Sequence, residues 1–165
     1  SAYRSRFGSL LRAYRLVGYQ PDRDYRYIEI NRALRDAYPK TVAEIISGIV
    51  RHGGTTVRNK DTDLVLVNDE FTISIVLARC QITAAGALRW HIRFDVGLVP
   101  DITIAVRMDE ANGTPRDYYL LPSIDMTVRR LKLAEQNGLS LDAYRFETLD
   151  FFYSLASRAR ISEVA

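Results

Sequence analysis

TDLVLVNDEFTISIVLARC, residues 62–80, is the stretch on which the fold turns. Two apolar runs flank Asn68-Asp69-Glu70, and both alternate with the period of two that marks half-buried strands. In the second run Phe71, Ile73, Ile75 and Leu77 share one face, and Arg79 ends that face. Asp63 opens the first run. The spacing suits a hairpin that brings Asp63 and Arg79 together on neighbouring strands. Such a pair is either a strand-end salt bridge or part of a metal-dependent phosphodiester-cleaving site.

Working outward, the same period continues through "TTVRN", "LRWHIRFD", "DITIAVRMD" and "DYYLLP". In "LRWHIRFD" Trp90, Ile92 and Phe94 fall on one face, and Arg89, His91, Arg93 and Asp95 on the other. The connections are short and carry Gly, Pro, Asn and Asp, which predicts mostly antiparallel pairing. Before the sheet the period is helical. One helix is expected over 9–17 with Gly18 as its stop, a second over "IEINRALRDAY" ending at Pro39, and a third over "KTVAEIISGIVRHGG" ending at Gly53-Gly54. After Pro122, "MTVRRLKLAEQ" and "SLDAYRFETLDFFYSLASRAR" read as helices. The expected fold is α/β in the broad sense (α+β): a five- to six-stranded mixed, largely antiparallel sheet flanked by helices. All 165 residues form a single domain in this reading, with a basic helical segment at 1–39, a sheet core at 40–122 and helices at 123–165.

Charge is uneven along the chain. Residues 1–35 hold eight arginines against Asp22, Asp24 and Glu29, for a net charge of +5, whereas the remainder is −2. A concentration of this kind favours a polyanionic partner. Arg4, Arg6, Arg12, Arg15, Arg23 and Arg26, interleaved with Tyr3, Tyr14, Tyr19, Tyr25 and Tyr27, form a candidate DNA-binding platform. Arginine would pair with phosphate there and tyrosine would stack on bases. A solvated helix face with tyrosines in the core is the equal alternative.

Other chemistries are poorly supported. No apolar run has the roughly 18–20 residues of a membrane span. A single cysteine, Cys80, excludes an internal disulfide and suits a reducing, cytoplasmic setting. Its place beside a strand end fits a buried small hydrophobe. Two histidines and one cysteine far apart make no zinc site, and no phosphate-cradling glycine loop is present. His52 suits a helix C-terminus.

Metal-dependent phosphodiester cleavage needs carboxylates on adjacent strand ends and a nearby cation. Glu44 in the preceding helix, Asp63 and Arg79 supply such parts in order. The segment from about 40 to 122 resembles the restriction-endonuclease-like, PD-(D/E)XK, superfamily: a helix with Glu44, Gly53-Gly54, a first strand, an aspartate-led strand, then a strand ending in Arg79. That resemblance implies Asp63 and Glu44 as metal ligands, Asp63 and Arg79 as catalytic residues, and Mg²⁺ as cofactor if the site is active. The departures are plain. Leu77 occupies the carboxylate position, Ala78 the intervening one, and Arg79 the lysine position. Leucine binds no metal, and arginine stays protonated but grips phosphate in a fork. Asp69, Glu70 and Asp95 are candidates for a migrated ligand.

Residues 1–19 resemble a segment near the end of bacterial serine recombinases of the resolvase type. This implies a C-terminal accessory piece of a longer DNA recombination protein, with other domains in the parent. The leading expectation is therefore a DNA-binding domain on a nuclease-like scaffold. An active Mg²⁺-dependent endonuclease is the alternative. A protein-interaction or homo-oligomerisation module, using the tyrosines and "YRFETLDFFYSL", is the third.

Overall fold

The computed structural model describes residues 22–94, 97–126 and 128–159, with side chains from residue 28 onward. The chain falls into two compact units, Ser1–Asp36 and Ala37–Ala165. Of the first, the described part is the opening of helix α1, which runs over Asp22–Arg51. The helix expected at 9–17 lies outside the described residues.

Pro39 does not end a helix as expected; it sits inside α1. A proline interior to a helix costs about 3 kcal/mol through its missing N–H and its ring. The stripe that follows it, Val42, Ile45 and Ile49, is 0–2% exposed. Burial of three such side chains contributes roughly 1.5–3 kcal/mol each, enough to offset the break. Gly53-Gly54 stop the helix as expected. Gly53 takes φ +86° and donates to Val50 O, while Gly54 donates to Ile49 O at 3.0 Å, the pairing of a Schellman cap. The Arg158 N–H then closes the His52 carbonyl at 3.1 Å. A Cβ on Gly53 would collide with the Arg158 carbonyl oxygen. Gly53→Ala is therefore expected to destabilise by about 2 kcal/mol or more in chemical unfolding, since positive φ and overpacking add.

Two sheets follow. The larger has six strands: β1 (Thr56–Arg58), β2 (Val65–Val67), β3 (Phe71–Ala78), β6 (Ile102–Met108), β7 (Pro115–Pro122) and β9 (Arg145–Phe146), in the order β1-β2-β3-β6-β7-β9. The smaller consists of β4 (Cys80–Ile82), β5 (Leu88–Arg93) and β8 (Arg130–Leu133), in the order β4-β5-β8. All neighbours are antiparallel except β3 and β6, which run parallel with Ile73 facing Ile102 and Ile75 facing Ile104. The mixed, largely antiparallel α+β architecture is as expected. The two-sheet division is not, because β4 and β5 occupy the crossover that a parallel pair requires.

The C-terminal expectation also needs correction. "MTVRRLKLAEQ" forms no helix: Arg130–Leu133 is strand β8, paired with Arg93–Trp90. Short helices α2 (Leu139–Asp142) and α3 (Asp150–Ala156) flank β9. In β8 the alternation of Leu131 and Leu133 decides over the helical composition around it, because it lets both leucines join the core between the sheets.

The six-stranded sheet has two different faces. Ile73, Ile75, Ile104 and Leu120 are buried on one. Ala78, Ala105, Tyr119 and Leu121 on the other face pack with Cys80, Leu88, Trp90, Ile92 and Leu133 of the small sheet. No helix among the described residues is long and apolar enough to cross a membrane.

Candidate nucleic-acid interface

The small sheet is buried on one side only. Trp90 and Ile92 face the core, so Arg89, His91 and Arg93 face outward. Pairing sets His91 against Lys132 and Arg93 against Arg130, and Gln81 against Arg89. His91, Arg93, Arg130 and Lys132 are exposed and Arg89 half-buried. None of the three strands carries an acidic residue. The outward surface thus presents four permanent cations and a histidine with no compensating carboxylate from its own strands. Like charges placed opposite each other on adjacent strands are unfavourable, so local stability does not account for the pattern. A polyanion laid across the sheet would neutralise it.

This face is held rigidly from behind. Arg107 on β6 and Asp117 on β7 face each other across the strand pair, and both are fully buried. The guanidinium grips the carboxylate in a fork, Nε to Oδ1 at 2.7 Å and Nη2 to Oδ2 at 2.6 Å. Its remaining Nη1 donates to Ala134 O at 2.6 Å, immediately after β8. It also stacks 4.3 Å from the Trp90 ring centroid and 5.0 Å from that of Tyr119. Arg145 adds a second donor to Asp117 Oδ2 at 2.7 Å. One buried arginine therefore ties both β5 and β8 to the large sheet. Trp90 Nε1 donates to Met108 O at 2.8 Å, and the Asn112 side chain bonds both N–H and C=O of Cys80, fixing β4. Cys80 is buried, as expected, and burial pushes its thiol pKa up.

Burial alone would raise the Asp117 carboxyl. Hydrogen bonds and charge from Arg107 and Arg145 outweigh it and hold the group below the ordinary carboxylate range. Tyr119, buried and donating to Asp142 Oδ1 at 2.6 Å, is pushed up to about 12. A carboxylate depressed in the folded state stabilises fully above its unfolded pKa, near 3.9, and that stability is lost as pH falls through the folded value. Unfolding monitored by Trp90 fluorescence is thus expected to show a loss of stability beginning below about pH 4. A variant carrying Arg107→Met with Asp117→Leu should lack that component.

The described candidates for a metal or catalytic site lie outside the small sheet. Asp63 sits in the β1–β2 turn at φ +61°, a conformation Asp tolerates, and pairs with Arg58 at 3.1 Å with both side chains substantially exposed. The pairing of β2 with β3 runs from Val67 with Phe71 to Val65 with Ile73 and includes neither Asp63 nor Arg79. Arg79 is half-buried where the chain leaves β3 for β4, and it has a partner of its own. Leu77 faces Val106 on the neighbouring strand. Glu44 is exposed on α1. Asp69 and Glu70 lie in the β2–β3 turn, at the opposite end of β3 from Arg79, and Glu70 pairs with Arg158. Asp95 falls outside the described residues. So do Arg4, Arg6, Arg12 and Arg15, while Arg23 and Arg26 belong to the described backbone of α1 only. Among the described residues, no group of three or more His, Cys, Asp and Glu is placed to hold a metal ion. His52 behaves as a cap, its Nδ1 lying 2.6 Å from Gly48 O.

No protein-family model and no curated sequence matches this chain. Among solved structures, that of a bacterial homing endonuclease, I-Ssp6803I, aligns with 70% of this chain and 87% of its own, at 15% identity and a TM-score of 0.43.

Proposed function

We propose that this chain is a DNA-binding domain that lays the basic face of its three-stranded sheet on the phosphate backbone. The observation that carries the proposal is the outward row Arg89, His91, Arg93, Arg130 and Lys132, without an acid in any of the three strands. Strands present side chains to a nucleic-acid groove as readily as helices do. A rigid sheet also loses little entropy on docking. Arg4, Arg6, Arg12, Arg15, Arg23 and Arg26 are a second set of DNA contacts in this reading.

The scaffold is of nuclease type in the proposal, with helix α1, three antiparallel strands and a fourth parallel to the third. Cleavage has less support. Asp63 is already paired with Arg58, and an apolar leucine stands where the resemblance calls for a carboxylate. The recombination context, with a longer parent protein around this piece, rests on the resemblance of residues 1–19.

Fluorescence anisotropy with a labelled mixed-sequence duplex in EDTA tests the proposal. Binding that weakens steeply with salt is the expected result. No binding at low salt would overturn it and favour an interaction module. Added Mg²⁺ is expected to leave the duplex intact. Cleavage that disappears in Asp63→Asn would establish the nuclease reading instead.

A further inference from the structure

The two sheets part beyond Ile92, and the gap is a cavity of about 290 Å³. Its floor is the large-sheet face that carries Ala78 and Ala105 further along, here contributed by Ser74, Val76 and Thr103. Its far wall includes Phe94 and Arg129, joined by the Phe94 N–H to Arg129 O bond at 2.9 Å. Both stand one residue beyond the paired strands, Phe94 half-buried and Arg129 exposed. Arg93, from the basic outer face, stands at the edge.

Three features are unusual for leftover space between sheets. Thr103, only 3% exposed, and Ser74 both line the cavity, on the sheet face opposite Ile73, Ile75 and Ile104. They bring two hydroxyl groups, each both donor and acceptor, to an otherwise largely apolar floor. Among the described residues two arginines line the cavity and no carboxylate does. The adjacent Asp101 accepts from Thr72, and Asp125 accepts from the Tyr144 hydroxyl at 2.6 Å.

We infer that this cavity receives one unpaired nucleobase of the bound DNA, with the phosphate of that nucleotide held by Arg93 and Arg129. The inference rests on the DNA-binding reading. The volume is at the lower end for small-molecule sites, suited to a single base. Apolar walls accept the faces of a base, and hydroxyls, each both donor and acceptor, meet its polar edge. A free anion would leave the apolar walls unused, and a purely apolar ligand would make no use of the hydroxyls. Continuity through Arg93 places the opening beside the strand that the basic face would hold.

The test compares the affinity of the full chain for a fully paired duplex and for the same duplex with one bulged nucleotide. The bulged form is expected to bind about tenfold tighter or more, because a base already unpaired needs no eversion energy. Thr103→Val, which removes the hydroxyl at constant shape, and Val76→Trp, which fills the space, should each abolish the preference while leaving paired-duplex affinity unchanged. If Val76→Trp fails to fold, Thr103→Val alone decides. Equal affinity of the natural sequence for both duplexes would overturn the pocket while leaving DNA binding intact. A preference that survives both substitutions would also overturn it. No binding of either duplex would overturn the DNA-binding reading and the pocket with it.

Discussion

Asp117→Ala is expected to lower the unfolding free energy by about 3–5 kcal/mol, the range for removing one partner of a buried ion pair. The loss arises less from the missing attraction than from what remains. Arg107, fully buried, would keep its charge with no carboxylate to face it. Three further contacts depend on its position: Trp90, Tyr119 and the Ala134 carbonyl. Arg145→Ala should cost only about 1 kcal/mol, because the Arg145 side chain is 36% exposed and Asp117 keeps its fork to Arg107. Replacing both buried partners by apolar residues, Arg107→Met with Asp117→Leu, should restore most of the loss. Ala134 O retains the Asn137 side chain as a donor at 2.7 Å in that variant, so no orphaned carbonyl results. Equilibrium urea unfolding of the three variants reads the order directly. A double variant less stable than Asp117→Ala would show that the network acts through something other than charge pairing.

Replacing Arg89, Arg93, Arg130 and Lys132 together by alanine is expected to weaken duplex binding by about a hundredfold or more at low salt. The fold should tolerate the change. Arg93, Arg130 and Lys132 are exposed, and the hydrogen bond from Arg89 Nη1 to its neighbour Leu88 O is local. Removing the repulsion between facing cations is expected to add about a few tenths of a kcal/mol in stability, the usual scale for surface changes. Affinity should therefore fall without a fall in melting temperature. A matched control, with four exposed basic residues neutralised elsewhere, should lose much less.

The strands were legible and their arrangement was not. Trp90, Ile92 and Phe94 alternate with Arg89, His91 and Arg93, and the period of two places the cations on one side without any structure. What the local pattern lacks is Lys132 and Arg130, which come from a segment whose composition suggests a helix. Only the pairing with β5 completes the basic face. The parallel contact of β3 with β6 is equally non-local, since nothing within residues 71–78 names residues 102–107 as their neighbour. Pro39 misled for a different reason: its local cost is real, and the buried stripe behind it is larger.

The Arg107–Asp117 pair had a signal that could have found it. Arg107 is the one charge of β6, Asp117 is the one acid of β7, and Asn112-Gly113 between them marks a hairpin turn. Folding that hairpin sets the two opposite. The family resemblance drew the eye instead to Asp63 and Arg79. Asp63 suits a turn at positive φ and has Arg58 beside it, which is a sufficient physical reason for an aspartate at that place.

The salt dependence of duplex affinity, measured side by side for the natural sequence and the four-alanine variant, tests the central claim most directly. If each of the four cations meets a phosphate, a log–log plot of affinity against salt should be steeper for the natural sequence by about 3.6, at about 0.9 per contact. Parallel lines, even with different intercepts, would mean that this face does not touch the phosphate backbone.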